Sequence, residues 1–249
     1  MSDDLHVLSG GDDGPLLVLL HGLGATADVW RPLISRLPEA WGGRWIAPDL
    51  PGHGGSAPLQ RYSFGTLASA VATTVGPAQP VTIVGHSLGG VIGLALASGW
   101  FGVSVETVVG IGIKATWSPE ELAKAQSLAA RPVTWFDSYE DAAQRCLLVS
   151  GLQGLVSADE PAVRNGVREE GGRWRLALDP AAFGVGAPDM RGLLAAARAR
   201  VVLARGERDH MVTAGQLDEL TPGSRTLPGV GHNAHVEQPE AVAALIAAN

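Results

Sequence analysis

Ser87 stands at the centre of Gly85-His86-Ser87-Leu88-Gly89, a hydroxyl flanked at fixed spacing by two residues that lack a β-carbon. That spacing suits a sharp turn that lifts the serine clear of the backbone, the glycines removing the atoms that would collide. Ser87 is therefore the candidate nucleophile. A serine hydroxyl attacks poorly at neutral pH, so it needs an imidazole to take its proton and a carboxylate to hold that imidazole in the right tautomer. Among the seven histidines, His232 follows the last apolar run, in Gly229-Val230-Gly231-His232-Asn233. Asp209 follows the run before it, in Gly206-Glu207-Arg208-Asp209. The order Ser87, Asp209, His232 is nucleophile, acid, base, the order that accompanies such a turn. Asp28, Asp159 and Asp218 fall on helices or in the insertion described below, and Asp49 opens a loop earlier than the acid is expected. His235, three residues past the expected base, reads as structural, and His21 and His53 as loop-stabilising. His86 either lines a pocket or packs the turn.

These residues need strands that end beside one another. The run Val81-Thr82-Ile83-Val84 before Ser87 predicts a strand, and the small-residue stretch after it predicts a helix to about Ser98. Further strands are expected at Leu5 to Ser9, Leu16 to Leu20, Trp45 to Asp49, Val105 to Ile113, Val201 to Ala204 and Arg225 to Leu227. Helices are expected at Ala27 to Leu37 with Thr26 as cap, Leu67 to Val75, Gly215 to Leu220 and Pro239 to Ala248. Strands alternating with helices imply crossover connections and a mostly parallel sheet with helices on both faces. From Ser118 to about Arg191 the pattern changes to helices and loops without a buried apolar strand. Ser118-Pro119-Glu120-Glu121 is a capping box with Pro at the first helical position, a second capped helix starts at Ser138, and Gly171-Gly172 turns into a short extended piece.

Composition narrows the partners. The chain has 249 residues, 46% of them hydrophobic and 17% charged, which suits a globular α/β domain. A net charge of -7, with no basic run, argues against nucleic acid, whose phosphates need a basic face. The longest apolar stretch, Val91 to Val105, is short of the ~20 residues of a membrane span. The single Cys146 makes no internal disulfide, no Cys/His metal spacing occurs, and Met1 to His6 lacks a leader signature. The expectation is a cytoplasmic protein without cofactor or metal, acting on a small molecule, as monomer or homodimer.

Four motifs in correct relative positions carry a resemblance: His21-Gly22-Leu23-Gly24, Asp49-Leu50-Pro51-Gly52-His53-Gly54-Gly55-Ser56, the turn at Ser87, and Gly231-His232 followed by Glu237-Gln238-Pro239-Glu240. The chain resembles the α/β-hydrolase superfamily over essentially its whole length. The resemblance implies a core of residues 1–114 and 191–249 with a helical cap at 115–190, and an oxyanion hole from the backbone N–H groups of Leu23 and Leu88. Leu88 also opens a helix, whose unpaired N–H groups and dipole favour negative charge. The implied activity is hydrolysis of a small carboxylic ester, thioester or lactone through an acyl-enzyme, with an apolar pocket to which some of Trp117, Trp135, Phe136, Trp174 and Phe183 contribute. Serine at 87 disfavours the relatives that alkylate an aspartate. Local similarity extends to the menaquinone-pathway synthase that eliminates pyruvate, a family that places an arginine after the elbow glycines where Val91 stands. Carbon-carbon hydrolases are similar too, but carry a tryptophan where Asn233 stands. An alternative of another class is a ligand-binding or interaction protein that keeps the fold without turnover.

Overall fold

The computed structural model describes residues 5–77 and 79–248; Met1 to Asp4, on which the reading of the N-terminus partly rests, lie outside the described residues. The strands are β1 (Val7–Gly10), β2 (Leu16–Leu20), β3 (Arg44–Pro48), β4 (Val81–His86), β5 (Val105–Ile111), β6 (Val167–Glu170), β7 (Arg173–Leu176), β8 (Arg200–Gly206) and β9 (Arg225–Leu227). Seven form one sheet in the order β1-β3-β2-β4-β5-β8-β9. β1 pairs antiparallel with β3, and every other neighbouring pair is parallel. The helices are α1 (Arg31–Ile34), α2 (Leu37–Ala40), α3 (Phe64–Val75), α4 (Leu88–Ala97), α5 (Pro119–Ala129), α6 (Tyr139–Ser150), α7 (Pro161–Arg164), α8 (Met190–Ala196), α9 (Ala214–Leu220), α10 (Ala234–Glu237) and α11 (Pro239–Ala247).

Side chains that alternate along a strand divide the core in two. Leu17 and Leu19 join Val84, Val109 and Ile111 in one apolar cluster, while Leu16, Val18 and Leu20 join Ile83 and Ile92 in the other. All five residues of β2 are buried, as expected of a strand covered on both faces. Every residue of α4 is buried as well, so this helix is held by apolar contact all round.

Three expectations are corrected. The helix foreseen over Ala27 to Leu37 is a 3-10 turn at Ala27–Trp30 followed by α1 and α2, with Pro32 and Pro38 in their first turns. A proline inside a continuous helix lacks the N–H for the preceding turn and clashes with its carbonyl, so each starts a new segment instead. Thr26 makes no side-chain cap; the Ala27 N–H donates to Asp49 Oδ1 at 2.7 Å. Between β5 and β8, the predicted capped helices are α5 and α6, but β6 and β7 pair antiparallel about Gly171-Gly172, so this stretch holds a hairpin as well as helices. No helix among the described residues is long and apolar enough to cross a membrane.

The fold depends on close backbone approach at the turn after β4. A β-carbon on Gly89 would lie 2.1 Å from the Leu20 carbonyl oxygen, and one on Gly85 would lie 2.4 Å from the Gly89 oxygen. Gly42 has no neighbour within 4 Å of such a carbon. Gly89→Ala is expected to destabilise the protein by more than about 2 kcal/mol in urea denaturation, and Gly42→Ala to stay within about 0.5 kcal/mol.

Candidate active site

Ser87 adopts φ 48° and ψ −112° between the end of β4 and the start of α4. Among the described residues it alone, glycines aside, has a positive φ. Such a conformation costs about 1–3 kcal/mol and persists where its surroundings over-determine it. Here the Ser87 N–H donates to the Ile111 carbonyl at 2.8 Å, continuing the β4–β5 ladder through the turn, while its own carbonyl accepts from Gly90 and Val91. The turn at His21-Gly22-Leu23-Gly24 lies alongside. A β-carbon on Gly22 would sit 3.5 Å from Ser87 Cβ and 2.7 Å from His86 Nδ1.

His232 and Asp209 meet. Asp209, at the end of β8, places Oδ2 3.0 Å from His232 Nδ1. Its other oxygen accepts from the Met211 N–H at 2.8 Å, and the buried Arg205 donates to the Asp209 carbonyl and to those of Glu207 and Val212. Burial opposes the charge on Asp209, but the hydrogen bond and charge of His232 outweigh it and hold this carboxyl below its ordinary value. The His232 ring lies over the end of β5, where a β-carbon on Gly112 would be 3.1 Å from its Nδ1 and Cε1. Ile111, the preceding residue, holds Ser87, so nucleophile and imidazole share one strand end. Sites of this kind gather at the carboxyl ends of parallel strands.

His21, His53, His86 and His235 are buried. His86 Nε2 donates to the His232 carbonyl at 3.1 Å, and its ring packs against both His232 and His235 at centroid distances of 4.6 and 4.4 Å. His86 thus packs the elbow from behind. His235 is also stacked on Trp30, and His210 is exposed. His21 donates from Nδ1 to the Gly22 carbonyl and accepts the Leu50 N–H at Nε2, so it bridges two loops only while neutral.

Asp49 is the residue sequence reasoning undervalued. Its carboxylate accepts from the N–H groups of Ala27 and Gly55 and pairs with His6, and its carbonyl accepts from Ser56, which closes the Asp49 to Ser56 loop. The Asp-x-Pro-Gly run is a local turn signal that could have found part of this role. Asn233, whose Nδ2 donates to the Gly151 carbonyl at 2.9 Å, carries no such signal.

The aromatic residues between β5 and β8 separate. Phe183 lines a cleft of about 80 Å³ with Leu128, Val149 and Leu178, which Arg131 and Arg145 also border. Trp135 lines a second cavity and lies under the Arg175 guanidinium. Phe136 and Trp174 exchange backbone hydrogen bonds and pack on the main core, and Trp117 packs with the cluster of Val91 and Met190. Val149 also reaches the site, since a β-carbon on Gly24 would lie 2.6 Å from its Cγ1.

The fold has counterparts among known proteins. The profile of the Alpha/beta hydrolase family matches residues 17–245. The chain is 30% identical over 247 residues to 2-succinyl-6-hydroxy-2,4-cyclohexadiene-1-carboxylate synthase of Enterobacter sp. (strain 638), covering 94% of this chain and 90% of that one. It is 40% identical over 112 residues to the Magnesium-chelatase 30 kDa subunit of Rhodobacter capsulatus, a match spanning 41% of this chain and only 36% of that protein. Among solved structures, E-2-(Acetamidomethylene)succinate Hydrolase superposes with a TM-score of 0.78 at 25% identity, covering 97% of this chain and 93% of that one.

The buried histidines make stability depend on pH. Burial is the main cause in each case, lowering His21 to about 4, His53 and His235 to about 3, and His86 well below the ordinary 6.5. Below pH 6.5 the unfolded chain therefore binds protons that the folded chain refuses. Their contribution is complete above that pH and is lost as pH falls towards the folded values, at up to about 1.4 kcal/mol per pH unit for each ring. The urea midpoint is expected to fall steeply from pH 6.5 to 5, and His53→Gln to reduce the slope by about one proton.

Proposed function

The chain belongs to the alpha/beta hydrolase family, and on that premise we propose that it is a serine hydrolase that cleaves a small carboxylic ester, thioester or lactone. The observation that carries the reading is the strained Ser87 elbow beside an imidazole already held by a buried carboxylate. With Nδ1 engaged by Asp209, Nε2 of His232 is left to take the Ser87 proton as the hydroxyl oxygen attacks the substrate carbonyl. The backbone N–H groups of Leu23 and Leu88 stabilise the oxyanion, each donor of this kind contributing about 100- to 1000-fold in rate. Collapse of the tetrahedral species expels the alcohol or thiol, which takes the proton from His232. Water, deprotonated by the same ring, then releases the acid. Residues 115–190 serve as the cap over the core of residues 1–114 and 191–249, and the cleft at Val149 and Phe183 is the place for an acyl chain.

A second reading is pyruvate elimination, favoured by near full-length similarity to the Enterobacter synthase. Against it, Val91, where that family is expected to carry an arginine, is 3% exposed in an apolar cluster and offers no charge to a substrate carboxylate.

The test is hydrolysis of p-nitrophenyl esters from acetate to decanoate. Short-chain turnover is expected, abolished in Ser87→Ala, and lowered by roughly 1,000- to 10,000-fold in Asp209→Asn, which leaves the imidazole in the wrong tautomer. A fluorophosphonate probe should label Ser87. Labelling without ester turnover would transfer support to elimination or carbon-carbon cleavage, and absence of both would favour a binding protein.

A further inference from the structure

The loop that carries His232 lies beyond β9, a three-residue strand at the edge of the sheet, so the ladder does little to fix it. Side chains fix it instead. Asp209 takes the His232 ring, His86 donates to the His232 carbonyl, and Glu237 accepts the Gly231 N–H at 2.8 Å, all from within the core. Glu207 also accepts the Gly229 N–H, and the Arg208 N–H donates to the Val230 carbonyl. Asn233 supplies a tie of a different kind. It is 3% exposed, and its Nδ2 donates to the carbonyl of Gly151, 82 residues earlier, at the C-terminal cap of α6.

Gly151 suits this role because it adopts the left-handed conformation, φ 71° and ψ 17°, that turns the chain off the helix. The same last turn of α6 presses Val149 against Gly24, in the turn beside Ser87. α6 is itself seated by Ala142, Ala143, Cys146 and Leu147, all buried. The end of this one helix therefore touches the loop of the proposed base and the turn that carries Leu23, one of the two proposed oxyanion donors.

We propose that Asn233 is a positioning residue, holding His232 in register with Ser87 through the carbonyl of Gly151, so that the seat of α6 sets the geometry of proton transfer. The role rests on the serine-hydrolase reading given above. Asn233 touches no reacting atom; its loss should lower kcat, because misplacing a catalytic group by about 1 Å can cost up to ~100-fold in rate.

The experiment compares Asn233→Ala and the near-isosteric Asn233→Asp at pH 8, neither of which can donate this bond, with Asn165→Ala. Asn165 makes another tie of the same segment to the core, its Nδ2 donating to buried Asp28 at 2.6 Å without bonding to the His232 loop. Two readouts are taken: kcat and KM on p-nitrophenyl acetate, and the downfield NMR signal of the His232 Nδ1 proton shared with Asp209. The Asn233 variants are expected to lose at least about tenfold in kcat with KM within about twofold, and to broaden or lose the proton signal, while Asn165→Ala keeps both. Unchanged kcat and signal in the Asn233 variants would overturn the proposal, as would an equal loss in Asn165→Ala, which would mean general loosening. If the native chain turns over no ester, the hydrolase reading fails on its own, and the proton signal alone then decides for or against Asn233.

Discussion

The structure turns on one contact, the Cα of Gly89 against the last carbonyl of β2. That approach brings the first turn of α4 onto the sheet directly after β4, and the chain can make the corner only by putting Ser87 at φ 48°. The strain of about 1–3 kcal/mol is offset by what the corner permits. Ile92, Leu94 and Leu96 become fully buried in α4, and burying one such side chain stabilises by about 1.5–3 kcal/mol. The strained, half-buried Ser87 is thus a by-product of tight helix-on-sheet packing, and its rigidity comes from the core.

Around that corner the loops have little regular pairing beyond the His53–Leu178 bridge, and buried imidazoles add ties. His21, His53 and His86 each bond to a loop backbone, and His86 joins the end of β4 to the loop of His232. A neutral imidazole can donate at one nitrogen and accept at the other, which suits a loop junction where N–H and carbonyl groups both need partners. Burial keeps these rings neutral. Asp49 does the same work with a carboxylate, gathering the N–H groups of Ala27 and Gly55.

What could be read from the sequence was local. The glycines at 85 and 89 encode the elbow within five residues, the caps at Ser118 and Ser138 sit at the starts of α5 and α6, and the parallel sheet follows from alternation of apolar runs with helices. Asp209 and His232 were found because each follows a strand. The readings that failed depended on partners distant in the chain. Thr26 looks like a cap, yet its side chain makes no cap bond, and the first N–H of the turn, that of Ala27, goes to Asp49, 22 residues away. Asp28 looks like one more helix aspartate, yet Asn165 meets it across 137 residues. Asn233 looked notable only for not being tryptophan. No periodicity or turn signal reports such pairs, because they are created by packing.

That distinction bears on how the site is divided between core and insertion. Ser87 sits on a central strand flanked by β2 and β5, with paired neighbours on both sides, whereas His232 follows a strand of three residues paired on one side only. Ser87, fixed by the sheet, and His232, fixed largely by side chains, are unequally secure, and under the proposed mechanism the ring has to come within hydrogen-bond reach of the hydroxyl. The sheet and its loops tie the His232 loop through Asp209, His86, Glu237, Glu207 and Arg208, and the end of α6 adds the bond from Asn233 while also covering the turn at Gly24. Any movement of α6 is therefore felt first at the less secure partner. On the proposed mechanism, a segment that contributes no reacting group would in this way help set whether the reacting groups meet.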